Sequence, residues 1–192
     1  MVFWKKFKAI ELPTGSTFGM INPNDISAVE LWVKNAINSS PLVSCELKTL
    51  LQVDIFIEML YSDHNQEGLL NAFEIVGKDG SLIGGFLLCL SPMNESGEVL
   101  YVFSRKSETS SYTYGKELIT GIRLLDNYIY GCNIRQMSMY VIEKRKSLIK
   151  ALLSCDYQCI GELPHYLLCE NGCELEKRAV SVYHLYKFYG DS

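Results

Sequence analysis

The sequence predicts a single α/β domain, and two observations support this fold class. Segments with the two-residue alternation of strands and segments with the helical period follow one another in the order β-α-α-β-β-β-α-β-α-β-β. The hydrophobic content of 48% and charged fraction of 21% over 192 residues are typical of a globular protein that buries a full core. We therefore predict an N-terminal arm over residues 1–15 and one domain over residues 16–192.

The first third of the chain predicts one short strand followed by two helices. The segment STFGMINP forms the strand and stops at Pro23. The helices begin after Pro23 and near Cys45, and each carries apolar residues at helical spacing. The expected inward residues are Ile26, Val29, Val33 and Ala36 in the first helix, and Leu47, Leu50, Leu51, Phe56, Ile57 and Leu60 in the second.

A β-hairpin follows, in the segment NAFEIVGKDGSLIGGFLLCLSP. Asp79 and Gly80 form a strong signal for a two-residue turn, because both tolerate positive φ. Residues 82–90 are apolar on both faces of the predicted strand. We expect this strand to be central in its sheet.

Residues 98–132 predict a strand, a polar loop and an amphipathic helix. The helix is expected to begin at Gly115, with Leu118, Ile122, Leu125 and Ile129 on its apolar face. A helix N-terminus after a strand and a loop presents free backbone N–H groups and the positive end of the helix dipole. This arrangement suits a phosphate group, although a polar loop that only caps the helix would have the same pattern.

The remaining third predicts a strand, a helix and two further strands. The helix EKRKSLIKALLSC is expected to turn Leu148, Ile149, Leu152 and Leu153 inward. The last two strands lie on either side of Asn171 and Gly172, and Pro164 marks a bulge or an edge in the first of them.

Charge and composition exclude several classes of protein. A net charge of −4 argues against a general nucleic-acid binder. No apolar run approaches the length of a transmembrane helix, and no apolar stretch of a signal peptide follows the N-terminal lysines, so we expect a cytoplasmic protein. We expect the seven cysteines to be reduced and buried, and to bind no metal. The spacing of Cys155, Cys159, Cys169 and Cys173 differs from the paired C-x2-C of zinc sites.

The order of elements, with a loop and a helix after the fourth strand, resembles the GNAT superfamily of N-acetyltransferases, and most of all the type that acetylates the alanine of ribosomal proteins. The resemblance extends from Phe18 to Lys187. It implies a GNAT-like (acyl-CoA N-acyltransferase) fold, with a mixed central sheet of about seven strands and helices on both faces. It also implies that acetyl-CoA lies between the fourth and fifth strands of that fold.

In the family, backbone amides of an Arg/Gln-x-x-Gly-x-Gly/Ala segment hold the pyrophosphate of acetyl-CoA. The matching residues are 110–115, in which Gly115 keeps the final glycine while Ser110 and Thr113 depart from the pattern. Any residue except proline supplies an N–H, but a β-branched Thr113 limits how closely the backbone can approach a phosphate. The cofactor-binding residues implied by the resemblance are Ser111, Tyr112, Thr113, Tyr114, Gly115 and Lys116.

The catalytic base of the resembling enzymes is often a glutamate at the start of the fourth strand, where this chain has Glu98. Burial between two apolar runs would raise its pKa, and the alternative is a solvated carboxylate at a strand end. The acid is usually a tyrosine before a Gly-Phe pair. Here Leu152 stands in place of the tyrosine and Asp156-Tyr157 in place of Gly-Phe. Three other tyrosines could supply the proton instead: Tyr101, Tyr140 and Tyr183.

Two hypotheses follow from this resemblance. The first is an acetyl-CoA-dependent N-acetyltransferase that acts on a protein or a small amine. The second is a catalytically inactive domain with an interaction or structural role, like the acetyltransferase-like proteins inside the virions of short-tailed phages. The aromatic and basic arm around Phe3, Trp4 and Phe7 favours the second, as do the missing tyrosine and glycine of the family pattern, whereas the intact order of elements and Glu98 favour the first. We expect the three aromatic side chains of the arm to be covered by this domain or by a partner protein.

Overall fold

The computed structural model describes residues 7–38, 42–44, 51–61, 70–104, 111–171 and 174–190. These ranges contain four α-helices and nine strands. The helices are α1 (Ile26–Asn38), α2 (Val53–Tyr61), α3 (Ser111–Gly131) and α4 (Lys146–Leu153). The strands are β1 (Ile10–Glu11), β2 (Thr17–Met20), β3 (Leu42–Ser44), β4 (Leu70–Val76), β5 (Leu82–Ser91), β6 (Ser96–Ser104), β7 (Gln136–Ile142), β8 (Gln158–Asn171) and β9 (Glu174–Phe188).

The nine strands form one mixed sheet in the order β1-β2-β4-β5-β6-β7-β9-β8-β3. Strands β6 and β7 are parallel, and the other described neighbours are antiparallel. The predicted count of seven strands was therefore too low. The additional strands β1 and β3 have two and three residues and lie at the two edges, too short to show an alternating pattern.

Helices cover both faces of this sheet, as predicted. Helices α3 and α4 pack on one face, called the α3 face, where Leu125 and Leu148 join a core with Phe86 and Val99. Helices α1 and α2 pack on the opposite face, called the α1 face, against side chains that include Leu87. All four residues predicted for the apolar side of α3 are buried: Leu118, Ile122, Leu125 and Ile129.

Two positions predicted to face inward are exposed, Ile26 by 57% and Leu153 by 46%. They are the first residue of α1 and the last residue of α4, so each lies at a helix end rather than over the sheet. Trp32 and Ala151 contribute to the cores instead. The predicted helix near residues 45–61 is described from Val53, and residues 45–50 lie outside the described part.

The predicted hairpin is confirmed, with β5 lying between β4 and β6 in the sheet. Its turn has three residues rather than two, because the N–H of Gly77 donates to the carbonyl of Ser81 at 2.8 Å. Gly80 has the expected positive φ, at 78°, whereas Asp79 does not. The Asp79 side chain accepts hydrogen bonds from the backbone N–H and the hydroxyl of Ser81. A type I turn followed by a left-handed glycine gives this geometry.

The N-terminal arm folds back on its own domain at Phe7. The Phe7 ring packs edge to face against Phe18, Phe73 and Tyr128, with centroid distances of 5.8, 5.2 and 5.6 Å. The sequence prediction that this side chain is covered is therefore confirmed for Phe7, while Phe3 and Trp4 lie outside the described residues. No helix in the described ranges is long and apolar enough to cross a membrane.

A buried polar network joins α3 to the end of β9. Asp126 is 7% exposed and accepts hydrogen bonds from the hydroxyls of Tyr157 and Tyr189 at 3.1 and 2.6 Å. Its second oxygen lies 2.8 Å from the ammonium nitrogen of Lys187, which also donates to the carbonyl of Cys155 at 2.7 Å. Burial raises the pKa of both tyrosines, so their hydroxyls remain protonated donors.

Gly85 in β5 lies where α1 approaches the sheet most closely. A Cβ atom at this position would overlap the indole nitrogen of Trp32 and lie 2.5 Å from the Phe103 ring. Trp32 cannot easily move, because its N–H donates to the carbonyl of Phe73 at 2.9 Å and its ring stacks on Phe56.

Gly85→Ala is therefore expected to destabilise the fold by about 2 kcal/mol or more, since overpacking of a rigid core forces strain on its neighbours. Urea unfolding followed by far-UV circular dichroism measures the change. Gly161→Ala in β8 is the matched control, because an added Cβ there meets none of the described atoms within 4 Å. Equal stability of the two variants would contradict this packing argument.

Candidate active site

The parallel strands β6 and β7 pair over only part of their length. Their register runs from Ser96 opposite Gln136 to Val99 opposite Met139. Beyond these residues β6 continues along β5, and β7 continues along β9. The two strands therefore part after Val99, which leaves an opening inside the sheet.

A β-bulge lies at the point where the strands part. Leu88 pairs with Val99 and Leu87 pairs with Tyr101, so Leu100 is an extra residue in β6. A bulge interrupts the ladder and increases the local twist of its strand, which accounts for the separation of β6 from β7. It also places Tyr101 on the same α1 face as Glu98, although the two are three residues apart.

A pocket of about 340 Å³ lies on the α1 face below this opening. Four of its residues form one row across the sheet, because Cys89 pairs with Glu98, Glu98 with Ser138, and Ser138 with Tyr186. Leu100 lines the same pocket at the bulge. Glu98 thus lies in a concave polar site rather than at a solvated strand end.

The carboxyl group of Glu98 is half-buried in this pocket. Burial raises the pKa of Glu98 above its ordinary value, which is the direction that the sequence predicted. Burial also raises the pKa of the Cys89 thiol, and the nearby charge of Glu98 adds to this effect. The thiol is exposed to the pocket rather than buried in the sheet, contrary to the sequence prediction, because no helix covers this part of the α1 face among the described residues.

The three candidate tyrosines have different surroundings. Tyr101 donates its hydroxyl to the carbonyl of Ala36 at 2.9 Å, which links β6 to α1. Tyr183 packs against the core of the α3 face. Tyr140 lies on the α1 face, one residue beyond Met139, where the pairing of β7 with β6 ends. It is close enough to Glu98 for the carboxylate charge to add to the rise of its pKa.

An aromatic stack continues from Tyr140 across the α1 face. Its ring lies 4.6 Å from His184 and 5.1 Å from Tyr166, both in stacked orientations. Burial raises the pKa of Tyr140, with Tyr166 and then Glu98 adding to the rise. The buried Nε2 atom of His184 has no hydrogen-bond partner among the described residues.

The residues aligned with the family's Gly-Phe pair lie at the end of α4. Asp156 has a φ of 66°, the left-handed conformation that glycine adopts most readily. Tyr157 is buried, at 2% exposed. Leu152 is also 2% exposed, in the core of the α3 face, so the acid position of the family holds no proton donor.

Helix α3 begins four residues earlier than predicted, at Ser111 rather than Gly115. The polar segment that suggested a loop contains no proline after Ser111, so nothing in it prevents helix formation. Thr113 consequently has a helical backbone and needs no glycine-like φ. The N–H groups of residues 111–113 belong to the first turn, which has no acceptors within the helix. An added Cβ at Gly115 would meet no atom of the described residues within 4 Å.

Sequence reasoning missed Gln136, Ser138 and Tyr186 as residues of this pocket. A signal was present in the alternation of β7, where Gln136, Ser138 and Tyr140 occupy one phase and buried Met137, Met139 and Val141 the other. A polar phase in an internal strand indicates a face without a covering helix.

No protein-family model matches this chain, and no curated protein matches it. Solved structures do match. The ribosomal-protein-S5-alanine acetyltransferase from Vibrio fischeri has a TM-score of 0.75 at 13% identity, over 96% of this chain and 98% of that chain. The spermidine N-acetyltransferase from Vibrio cholerae, in complex with CoA and spermine, has a TM-score of 0.64 at 15% identity, over 91% and 95%. The chain therefore has the GNAT acyl-CoA N-acyltransferase fold.

Proposed function

We propose that this protein is an N-acetyltransferase that transfers the acetyl group of acetyl-CoA to an amine. The observation that carries this proposal is the half-buried carboxylate of Glu98, which lies in a pocket directly below the opening between β6 and β7. The similar solved structures of acetyltransferases support the same chemistry, one of them in complex with CoA and spermine. Since many functions share one fold, the proposal depends on the site.

The residues present fit acetyl-CoA at two places. The opening between the parted strands is a path for an extended chain between the two faces of the sheet. The first turn of α3 follows β6 and offers N–H groups and a positive dipole end to a pyrophosphate. Gly115 has no side chain to block the adjacent surface, and the exposed Lys116 adds a positive charge. We assign residues 111–116 to this role.

Acetyl-CoA, when bound, supplies a thioester, so that a C–N bond forms to the amine while the C–S bond breaks and the sulfur takes up a proton. The residues of this chain manage the protons. Glu98 removes a proton from the amine nitrogen, and a raised pKa brings its basicity closer to that of its substrate. Tyr140 is our candidate for the proton donor, because it lies on the same face as Glu98 at the edge of the opening.

Gly115→Val is expected to lower the affinity for acetyl-CoA by about tenfold or more, equal to about 1.4 kcal/mol, because the side chain would occupy the surface next to the first turn of α3. Isothermal titration calorimetry with acetyl-CoA measures the change. Gly131→Val is the matched control, at the opposite end of the same helix and also with no atom within 4 Å of an added Cβ. Both variants should fold like the wild type.

Two outcomes would contradict the proposal. If wild-type protein binds no acetyl-CoA at millimolar concentration, the enzyme interpretation is wrong and the inactive interaction domain takes its place. If both valine variants bind like the wild type, the cofactor does not contact the start of α3.

A further inference from the structure

The polar groups of the pocket are arranged in two rows that differ in charge. The first row contains Glu98, between Cys89 and Ser138. Glu98 is the one charged side chain among the described residues that line the pocket. This end of the pocket therefore suits a cation, which is the form of a free amine at neutral pH.

The second row carries hydrogen-bonding groups without charge. Ser91 pairs with Ser96, and Ser96 pairs with Gln136, two residues along the strands from the first row. The hydroxyl of Tyr186 donates to the side-chain oxygen of Gln136 at 3.3 Å, which leaves the amide NH2 of Gln136 as the donor end of that side chain. The two rows are about 7 Å apart, as the rise of two strand residues requires.

Charges just beyond the second row are already paired. Arg135 and Glu95 precede Gln136 and Ser96 in sequence, and their side chains form an ion pair at 2.8 Å on the surface. The two charges compensate each other, so the pair adds no net charge at this end of the pocket. A second charge on the ligand would therefore meet no uncompensated counter-charge among the described residues that line or adjoin the second row.

We infer, on the basis of the proposed function, that the acceptor is an amine with a single positive charge and a neutral hydrogen-bonding group about 7 Å from its nitrogen. Glu98 binds the ammonium end. Gln136 and Ser96 bind the neutral end and determine specificity. A site that hydrogen-bonds a polar group disfavours ligands that lack it, because the partly buried side chains of Gln136 and Ser96 would then lose water without gaining a partner.

Three amines of similar length test this inference in acetyl transfer. We expect kcat/KM to be highest for 5-aminopentan-1-ol, and at least tenfold lower for 1,5-diaminopentane and for 1-aminohexane. The diamine adds a second charge at the neutral row, and the hexylamine removes the polar group. Release of CoA thiol gives the rate, and acetyl-CoA affinity is measured separately by calorimetry.

The variant Gln136→Leu is expected to remove the preference for the amino alcohol over the hexylamine while the affinity for acetyl-CoA stays unchanged. Ser96→Ala, a smaller change, should lower the same ratio if the leucine variant does not fold. Equal rates for all three amines, or a preference for the diamine, would overturn this inference and leave the proposed function standing. No transfer to any of them, together with no binding of acetyl-CoA, would overturn both.

Discussion

Glu98→Gln is expected to lower kcat/KM for acetyl transfer by about 10²–10⁴-fold, because glutamine has the shape of glutamate but cannot accept the proton of the amine. The affinity for acetyl-CoA should stay near the wild-type value. Measuring thiol release together with cofactor binding separates the two effects. The matched control is Glu74→Gln in β4, a largely buried glutamate whose pKa burial also raises but which does not line the pocket.

The same variant gives a test by pH. Because the pKa of Glu98 is raised above its ordinary value of 4.5, the wild-type rate should fall with decreasing pH along a limb that lies above pH 4.5. The glutamine variant should lack that limb. Its stability at neutral pH should be no lower than that of the wild type, since folding disfavours the ionised carboxylate. An unchanged acid limb in Glu98→Gln would contradict the role of this residue as the base.

Asp126→Asn is expected to destabilise the fold by about 3 kcal/mol or more. The substitution leaves the ammonium of Lys187 without its charged partner, and the side chain of Lys187 is only 17% exposed. It also weakens the acceptor shared by the hydroxyls of Tyr157 and Tyr189. Urea unfolding at pH 7 measures the change in the free energy of unfolding.

The exposed pair of Glu95 and Arg135 is the matched control for that substitution. Its oxygen and nitrogen are also 2.8 Å apart, but the two side chains are 44% and 62% exposed. Glu95→Gln should therefore cost less than about 1 kcal/mol. Similar losses from Glu95→Gln and Asp126→Asn would show that burial does not set the strength of these pairs.

Most of the fold could be predicted from the sequence because its main elements are long and periodic. The apolar side of α3 repeats over several turns, so its packing against the sheet followed directly. Strand β5 is apolar on both faces, so its central place in the sheet followed as well. The edge strands β1 and β3 are too short for any period. Their place is set by pairing with β2 and β8, which depends on distant parts of the chain.

The candidate site was predictable only in part. The resemblance pointed to Glu98 as the base, and this residue lies near the start of β6, while its role stays a prediction. Its neighbours Ser138 and Tyr186 come from strands 40 and 88 residues further along the chain, and only the register of the sheet brings them together. The link between Asp126 and Lys187 has the same origin, since 61 residues separate them.

The extra residue Leu100 in β6 limits which deletions this strand can accept. Before Leu100 the residues of even number face the pocket, and after it the residues of odd number, Tyr101 and Phe103, face α1. The strand therefore consists of two halves in opposite phase. Loss of a residue on either side of Leu100 would turn the carboxylate into the α3 core or the two aromatic rings away from α1. Loss of Leu100 itself would keep Glu98 and Tyr101 on the α1 face, but it would remove the bulge that separates β6 from β7.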